Sequence, residues 1–128
     1  YLDIHFLVLW IISYFFDKIP TVRSKGNSAM DNIESIALKV INKYPIKRAA
    51  FFGSAARGDM TADSDIDMIV EFLPDTRGIV FFSLQVDLEE AFNKSVDLIT
   101  FNALEHEAKE RFKNNVLQDV RIIYEREN

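Results

Sequence analysis

Asp65 and Asp67 stand one residue apart at the head of an apolar run, Ser64-Asp65-Ile66-Asp67-Met68-Ile69-Val70-Glu71. On a strand, positions i and i+2 share a face and lie only a few ångströms apart. Two like charges held that close repel, so an ordinary fold avoids the arrangement unless a cation sits between them. Ten residues before the pair, another apolar run ends in a turn: Phe51-Phe52-Gly53-Ser54-Ala55-Ala56-Arg57-Gly58-Asp59. Gly53 can take backbone angles closed to other residues and lets a ligand approach the main chain. A helix starting at Ser54 would add free N–H groups and a hydroxyl, which together suit phosphate. Phosphate on one side and a divalent metal on the other describe a nucleoside triphosphate pocket.

A third carboxylate has the same unusual setting. Asp97 interrupts the apolar strand Ser95-Val96-Asp97-Leu98-Ile99-Thr100-Phe101. A charge inside such a run must be paired or must line a site. Plainer roles exist for each of these residues. Asp-x-Asp alone at a strand start is usually turn and cap chemistry, and Ser54 alone would be an N-cap. Arg57, one turn into the phosphate helix, suits triphosphate binding and carboxylate pairing equally. Ser64 can order the loop before Asp65, and Asp59, Asp63 and Glu71 read as surface or supporting groups. His5 and His106 stand alone and are not read as ligands. The spacing of Gly53-Ser54 to the acidic pair, joined to Asp97, sets the metal-nucleotide reading above these.

The same residues carry a resemblance. Gly53-Ser54, ten residues, then Asp65-x-Asp67 resembles the signature of the DNA polymerase β-type nucleotidyltransferase superfamily. The fuller form, Gly-Ser-x-x-Arg-Gly followed by Ser-Asp-x-Asp, is similar to the small stand-alone members called minimal nucleotidyltransferases, and the likeness runs from about Ile33 to Tyr124. It implies an α/β (α+β) fold, a small mixed sheet with flanking helices whose first strand pair is antiparallel. Val96-Asp97-Leu98-Ile99-Thr100 resembles the strand that supplies the family's third carboxylate, so Asp65, Asp67 and Asp97 become the implied catalytic metal ligands. Three carboxylates can hold two Mg²⁺ ions roughly 3.5–4 Å apart, with Mn²⁺ able to substitute. The resemblance further implies ATP as substrate, with Gly53 and Ser54 at its β- and γ-phosphates, and it allows Asp97 to take the acceptor's proton.

Small prokaryotic members often act as antitoxins to a HEPN-domain ribonuclease toxin, attaching AMP to a toxin tyrosine; that partner is the implied one here. The alternatives are adenylylation of a small molecule such as an aminoglycoside, and a catalytically silent antitoxin that only covers its partner. Relatives of the first kind usually carry an extra helical domain for the acceptor. The intact triad counts against the second.

Bulk properties agree. A chain of 128 residues with 48% hydrophobic content and eleven Phe suits one domain with a real core. A net charge of −5 argues against stable nucleic-acid binding. The absence of cysteine fits a reducing, cytoplasmic setting. Residues 1–29 read differently from the rest. Phe6 to Phe16 is uncharged and aromatic-rich, but a bilayer span needs about 20 apolar residues. No basic residue precedes Lys18, unlike a signal peptide, so no membrane association is expected unless this segment is native. Gly26-Asn27-Ser28-Ala29 resembles a linker. The expected division is therefore an atypical extension, 1–29, and a nucleotidyltransferase domain, 30–128. The extension is either an addition ahead of a natural start at Met30 or an apolar helix covering a core edge or a partner. Acceptor recognition would need a partner protein or a second copy of the chain.

The elements that must position the site follow from periodicity. Asp31-x-x-Glu34 resembles a capping box before an apolar stripe ending at Pro45. Lys47 to Phe52 reads as a strand, Ser54 to Gly58 as a brief helix, and Ile66 to Leu73 as a central strand apolar on both faces. Ile79 to Phe92 reads as a helix with Phe81, Leu84, Leu88 and Phe92 inward, stopped at Asn93-Lys94. Asn102-x-x-Glu105 is expected to cap one helix reaching about Lys113, and Val120 to Tyr124 to form a strand or a terminal arm.

Overall fold

The computed structural model describes residues 28–106 and 109–126. The apolar stripe of the first helix forms as expected: α1 (Ser28–Ile41) buries Ala37, Val40 and Ile41. Its start, however, lies ahead of Asp31, so Asp31-x-x-Glu34 is inside the helix and is not its cap. Glu34 instead pairs with Arg121 at 2.8 Å. Of the expected extension, residues 1–29, only Ser28 and Ala29 are among the described residues, at the start of α1, and the Phe6–Phe16 run lies outside them.

The remaining order is β1 (Ile46–Phe52), α2 (Gly53–Arg57), β2 (Ile66–Phe72), α3 (Ile79–Phe92), β3 (Val96–Thr100), α4 (Phe101–His106), α5 (Glu110–Gln118) and β4 (Arg121–Glu125). The strands form one mixed sheet in the order β3-β2-β1-β4. β1 runs antiparallel to β2 and to β4, and β2 runs parallel to β3. Alternation along the strands gives the sheet two apolar faces. Ala49, Phe51, Ile66, Met68 and Val70 meet α1 and α3, where Leu84 and Leu88 are fully buried. Ala50, Phe52 and Ile69 meet Phe101, Leu104 and Val116 from α4 and α5. β2 is thus a central strand covered on both sides. Arg48 on β1 is nearly buried and reaches Glu71 of β2 (3.9 Å) and Glu125 of β4 (3.3 Å), linking three strands.

Two expectations near the C-terminus are corrected. Asn102 does not cap its helix: α4 already starts at Phe101, and Thr100 Oγ1 accepts the Ala103 N–H at 3.0 Å. The single helix to Lys113 is two. Lys113 Nζ folds back to donate to the Glu105 carbonyl at 2.7 Å, satisfying a group at the end of α4 that a continuous helix would have bonded to its own backbone. The open choice at residues 120–124 resolves as a strand, β4 on the outer side of β1.

Candidate active site

Strand register brings the three chemical signals to one end of the sheet. Phe52 pairs with Asp67 across β1 and β2, so the chain leaves β1 directly beside Asp67. Gly53 turns there with φ +61, a left-handed conformation that favours glycine. A Cβ built on Gly53 would lie 2.5 Å from Asp67 Oδ2. Both backbone and space therefore demand glycine. Gly53→Ala is expected to cost about 1–2 kcal/mol in backbone strain and to push the Asp67 carboxylate aside. Chemical denaturation and an affinity measurement for Mg²⁺-ATP would check the two effects separately.

α2 follows without a loop. The residue ahead of it, Phe52, is extended and offers no side-chain cap, so the first N–H groups of α2 are uncapped by any side chain. Gly58, left-handed at φ 80, closes the helix with its N–H on the Ser54 carbonyl.

The parallel pairing of β2 and β3 sets Asp67 opposite Asp97, so the two carboxylates are neighbours on one face. Asp65 immediately precedes β2, exposed and near enough for its charge to act on Asp67. Burial pushes the Asp67 carboxyl up to about 6, helped by the Asp97 charge, a hydrogen bond with Asp97 and the Asp65 charge; Arg57 opposes the rise. Two carboxylates can share a hydrogen bond only when one is protonated, and a cation would take that proton's place. The donor set thus fits a hard, oxygen-seeking divalent ion. Among the described residues, no group of three or more acidic or histidine side chains is arranged to hold a metal ion.

The raised Asp67 value has a stability consequence. Between about 4 and 6 the folded state binds more protons at Asp67 than the unfolded state does, so folding stability from this group is present at low pH and is lost as pH rises through about 6. In metal-free protein, Asp67→Asn is expected to be more stable than wild type at pH 7–8, with the gap shrinking toward pH 4. Thermal melts across that range would read it, and an equal or lower melting point at pH 8 would contradict it.

Of the two roles open for Arg57, the structure displays carboxylate pairing. Its Nε donates to Asp59 Oδ2 and its Nη1 to Asp119 Oδ2, each at 3.0 Å, and both pairs raise its pKa. Sequence reasoning missed Asp119, which lies 62 residues from its partner and has no local signal. It also missed Lys94, whose Nζ donates to carbonyls of the loop before Asp65. Ser64 orders that loop as expected: its Oγ accepts the Thr61 N–H at 2.9 Å. No helix among the described residues is long and apolar enough to cross a membrane.

Comparisons with known proteins point the same way. The profile of the family described as Polymerase beta, Nucleotidyltransferase matches residues 34–128. A Methanocaldococcus jannaschii protein, provisionally named a protein adenylyltransferase, is 37% identical over 67% of this chain and 96% of its own length. Among solved structures, a toxin–antitoxin crystal structure with AMP-PNP superposes with a TM-score of 0.58 at 21% identity, covering 73% of both chains. A complex of a tri-AMPylated Shewanella oneidensis HEPN toxin with an MNT antitoxin gives 0.55 at 18% identity, covering 76% of this chain and 73% of the other. These two likenesses concern the fold.

Proposed function

Because this chain belongs to the polymerase β-type nucleotidyltransferase family, we propose that it transfers AMP from ATP to a hydroxyl group and releases pyrophosphate. The observation that carries this reading is the registered pair Asp67–Asp97 with Gly53 folded against Asp67. Asp65, Asp67 and Asp97 would hold divalent magnesium. When bound, such ions offset triphosphate charge and stabilise the attacking and leaving oxygens of an in-line displacement.

The chain's own residues supply the rest. The Gly53 turn seats the start of α2 beside Asp67, and the uncapped N–H groups at Ser54 suit the β- and γ-phosphates. Arg57, held by Asp59 and Asp119, keeps a fixed positive charge one turn further on. In the transfer, the acceptor oxygen bonds to the α-phosphorus, the bond from that phosphorus to the α–β bridging oxygen breaks, and pyrophosphate departs. The acceptor's proton goes to a carboxylate oxygen of Asp97, which is exposed at the start of the edge strand.

The acceptor we propose is a tyrosine of a HEPN-type toxin, the chain acting as its antitoxin in the cytoplasm. The named M. jannaschii relative and the complex of an AMPylated HEPN toxin with its antitoxin support this choice. Calorimetric titration of Mg²⁺-ATP into the wild type and Asp65→Asn tests the pocket. Binding that needs Mg²⁺ and weakens in the variant supports nucleotidyl transfer. Absent binding in the wild type would favour a silent antitoxin that neutralises its partner by coverage.

A further inference from the structure

The loop between α2 and β2 delivers Asp65, and a side chain from a distant element grips it. Lys94 Nζ donates to the backbone carbonyls of Thr61 (3.2 Å), Ala62 (2.9 Å) and Ser64 (3.1 Å). An ammonium has three N–H donors, and here each meets a carbonyl. The loop is also knit internally. Thr61 N–H donates to Ser64 Oγ at 2.9 Å, the two hydroxyls lie 3.1 Å apart, and Ser64 N–H returns to the Thr61 carbonyl at 3.1 Å. Just beyond, Ile66 N–H donates to the Ser95 carbonyl at 3.0 Å.

Lys94 lies between two fixed points. Asn93, left-handed at φ 54, ends α3, and Asp97 sits in β3 opposite Asp67. A lysine at a helix end commonly serves the carbonyls of its own last turn. Lys94 instead reaches carbonyls 30 to 33 residues earlier. One short segment, 93–97, therefore carries one carboxylate of the site and holds the loop that carries another.

We propose that Lys94 is a positioning residue for the nucleotide site, fixing Asp65 relative to the Asp67–Asp97 pair through its hold on the carbonyls of Thr61, Ala62 and Ser64. It contacts no reacting atom. The role rests on the nucleotidyl-transfer reading above, since the placement of Asp65 matters only if Asp65 is a ligand.

Two readouts on the same variants separate the possibilities. Lys94→Met keeps an unbranched side chain and removes all three donors, whereas Lys94→Arg keeps the charge in a planar fork. In metal-free protein, Lys94→Met is expected to speed amide exchange at Thr61 and Ser64 about tenfold or more, with the amides of β1 and β2 unchanged. Its affinity for Mg²⁺-ATP is expected to fall about 10- to 100-fold, the usual loss when a ligand's supporting partner is removed, with Lys94→Arg falling between it and wild type. Unchanged exchange would overturn the clamp itself. Faster exchange with undiminished affinity would overturn the positioning role and leave Lys94 a structural brace. A wild type that does not bind Mg²⁺-ATP would overturn the nucleotide reading and this role with it, whatever the exchange shows.

Discussion

Asp65→Asn combined with Asp67→Asn is expected to lower AMP transfer at least about 1,000-fold, a loss of about 4 kcal/mol of transition-state stabilisation. Asparagine keeps the shape and part of the hydrogen bonding of aspartate, so the strand entrance should stay folded. What disappears is negative charge. Two of the three carboxylates become neutral, and the attraction for a divalent ion falls with them. The same change removes a carboxylate whose charged form is disfavoured first by burial and then by the neighbouring Asp97 and Asp65 charges, so the variant should lose activity while holding or gaining stability at neutral pH. That opposite movement marks a site whose charges are kept for chemistry. Measured turnover within tenfold of wild type would mean that the carboxylates do not carry the reaction.

Leu88→Ala, which touches no site residue, is expected to destabilise the protein by about 3 kcal/mol. Leu84 and Leu88 are both fully buried against the sheet, in the cluster with Met68, Val70, Val96 and Leu98. Truncation loses the transfer free energy of the removed atoms and leaves a cavity that a packed sheet closes only in part. Against a total stability of about 5–15 kcal/mol, the loss is a large share. α3 also leads into Lys94 and Asp97, so loosening its seat should weaken the site before the fold is lost. The midpoint of urea unfolding measures the stability term. Phe82→Ala, on the same helix but 65% exposed, serves as the comparison and should change stability by only about 0.5 kcal/mol. Equal effects of the two substitutions would contradict the packing described here.

What could be read before the structure was whatever depends on short spacing. Gly53-Ser54 after an apolar run and the Leu84–Leu88 stripe are local patterns that form a turn into a short helix and a buried helix face, while Asp67 lies in β2 and Asp65 just ahead of it. Asn93 likewise adopts the left-handed conformation read from its position at a helix stop. The antiparallel β1–β2 pair and the closeness of Asp97 to Asp67 came from family resemblance, because strand register is set by contacts that no local spacing reveals. The errors have the same origin. The Asp31-x-x-Glu34 pattern looks like a cap, yet the helix extends past it. A continuous helix from Asn102 to Lys113 satisfies periodicity, but the chain breaks it and Lys113 bonds back to the Glu105 carbonyl. Asp119 and Lys94 find their partners far along the chain, where composition and period carry no information.

AMP transfer by these carboxylates and the Gly53 turn is the proposed activity. The most direct measurement incubates the chain with Mg²⁺ and a purified HEPN-type partner, in parallel with ATP labelled at the α-phosphate and ATP labelled at the γ-phosphate. Label from the α-position on a partner tyrosine, none from the γ-position, and pyrophosphate in solution are the predicted result. Label from the γ-position would show phosphoryl transfer in place of nucleotidyl transfer, and neutralisation of the partner with no label from either would contradict the enzymatic account.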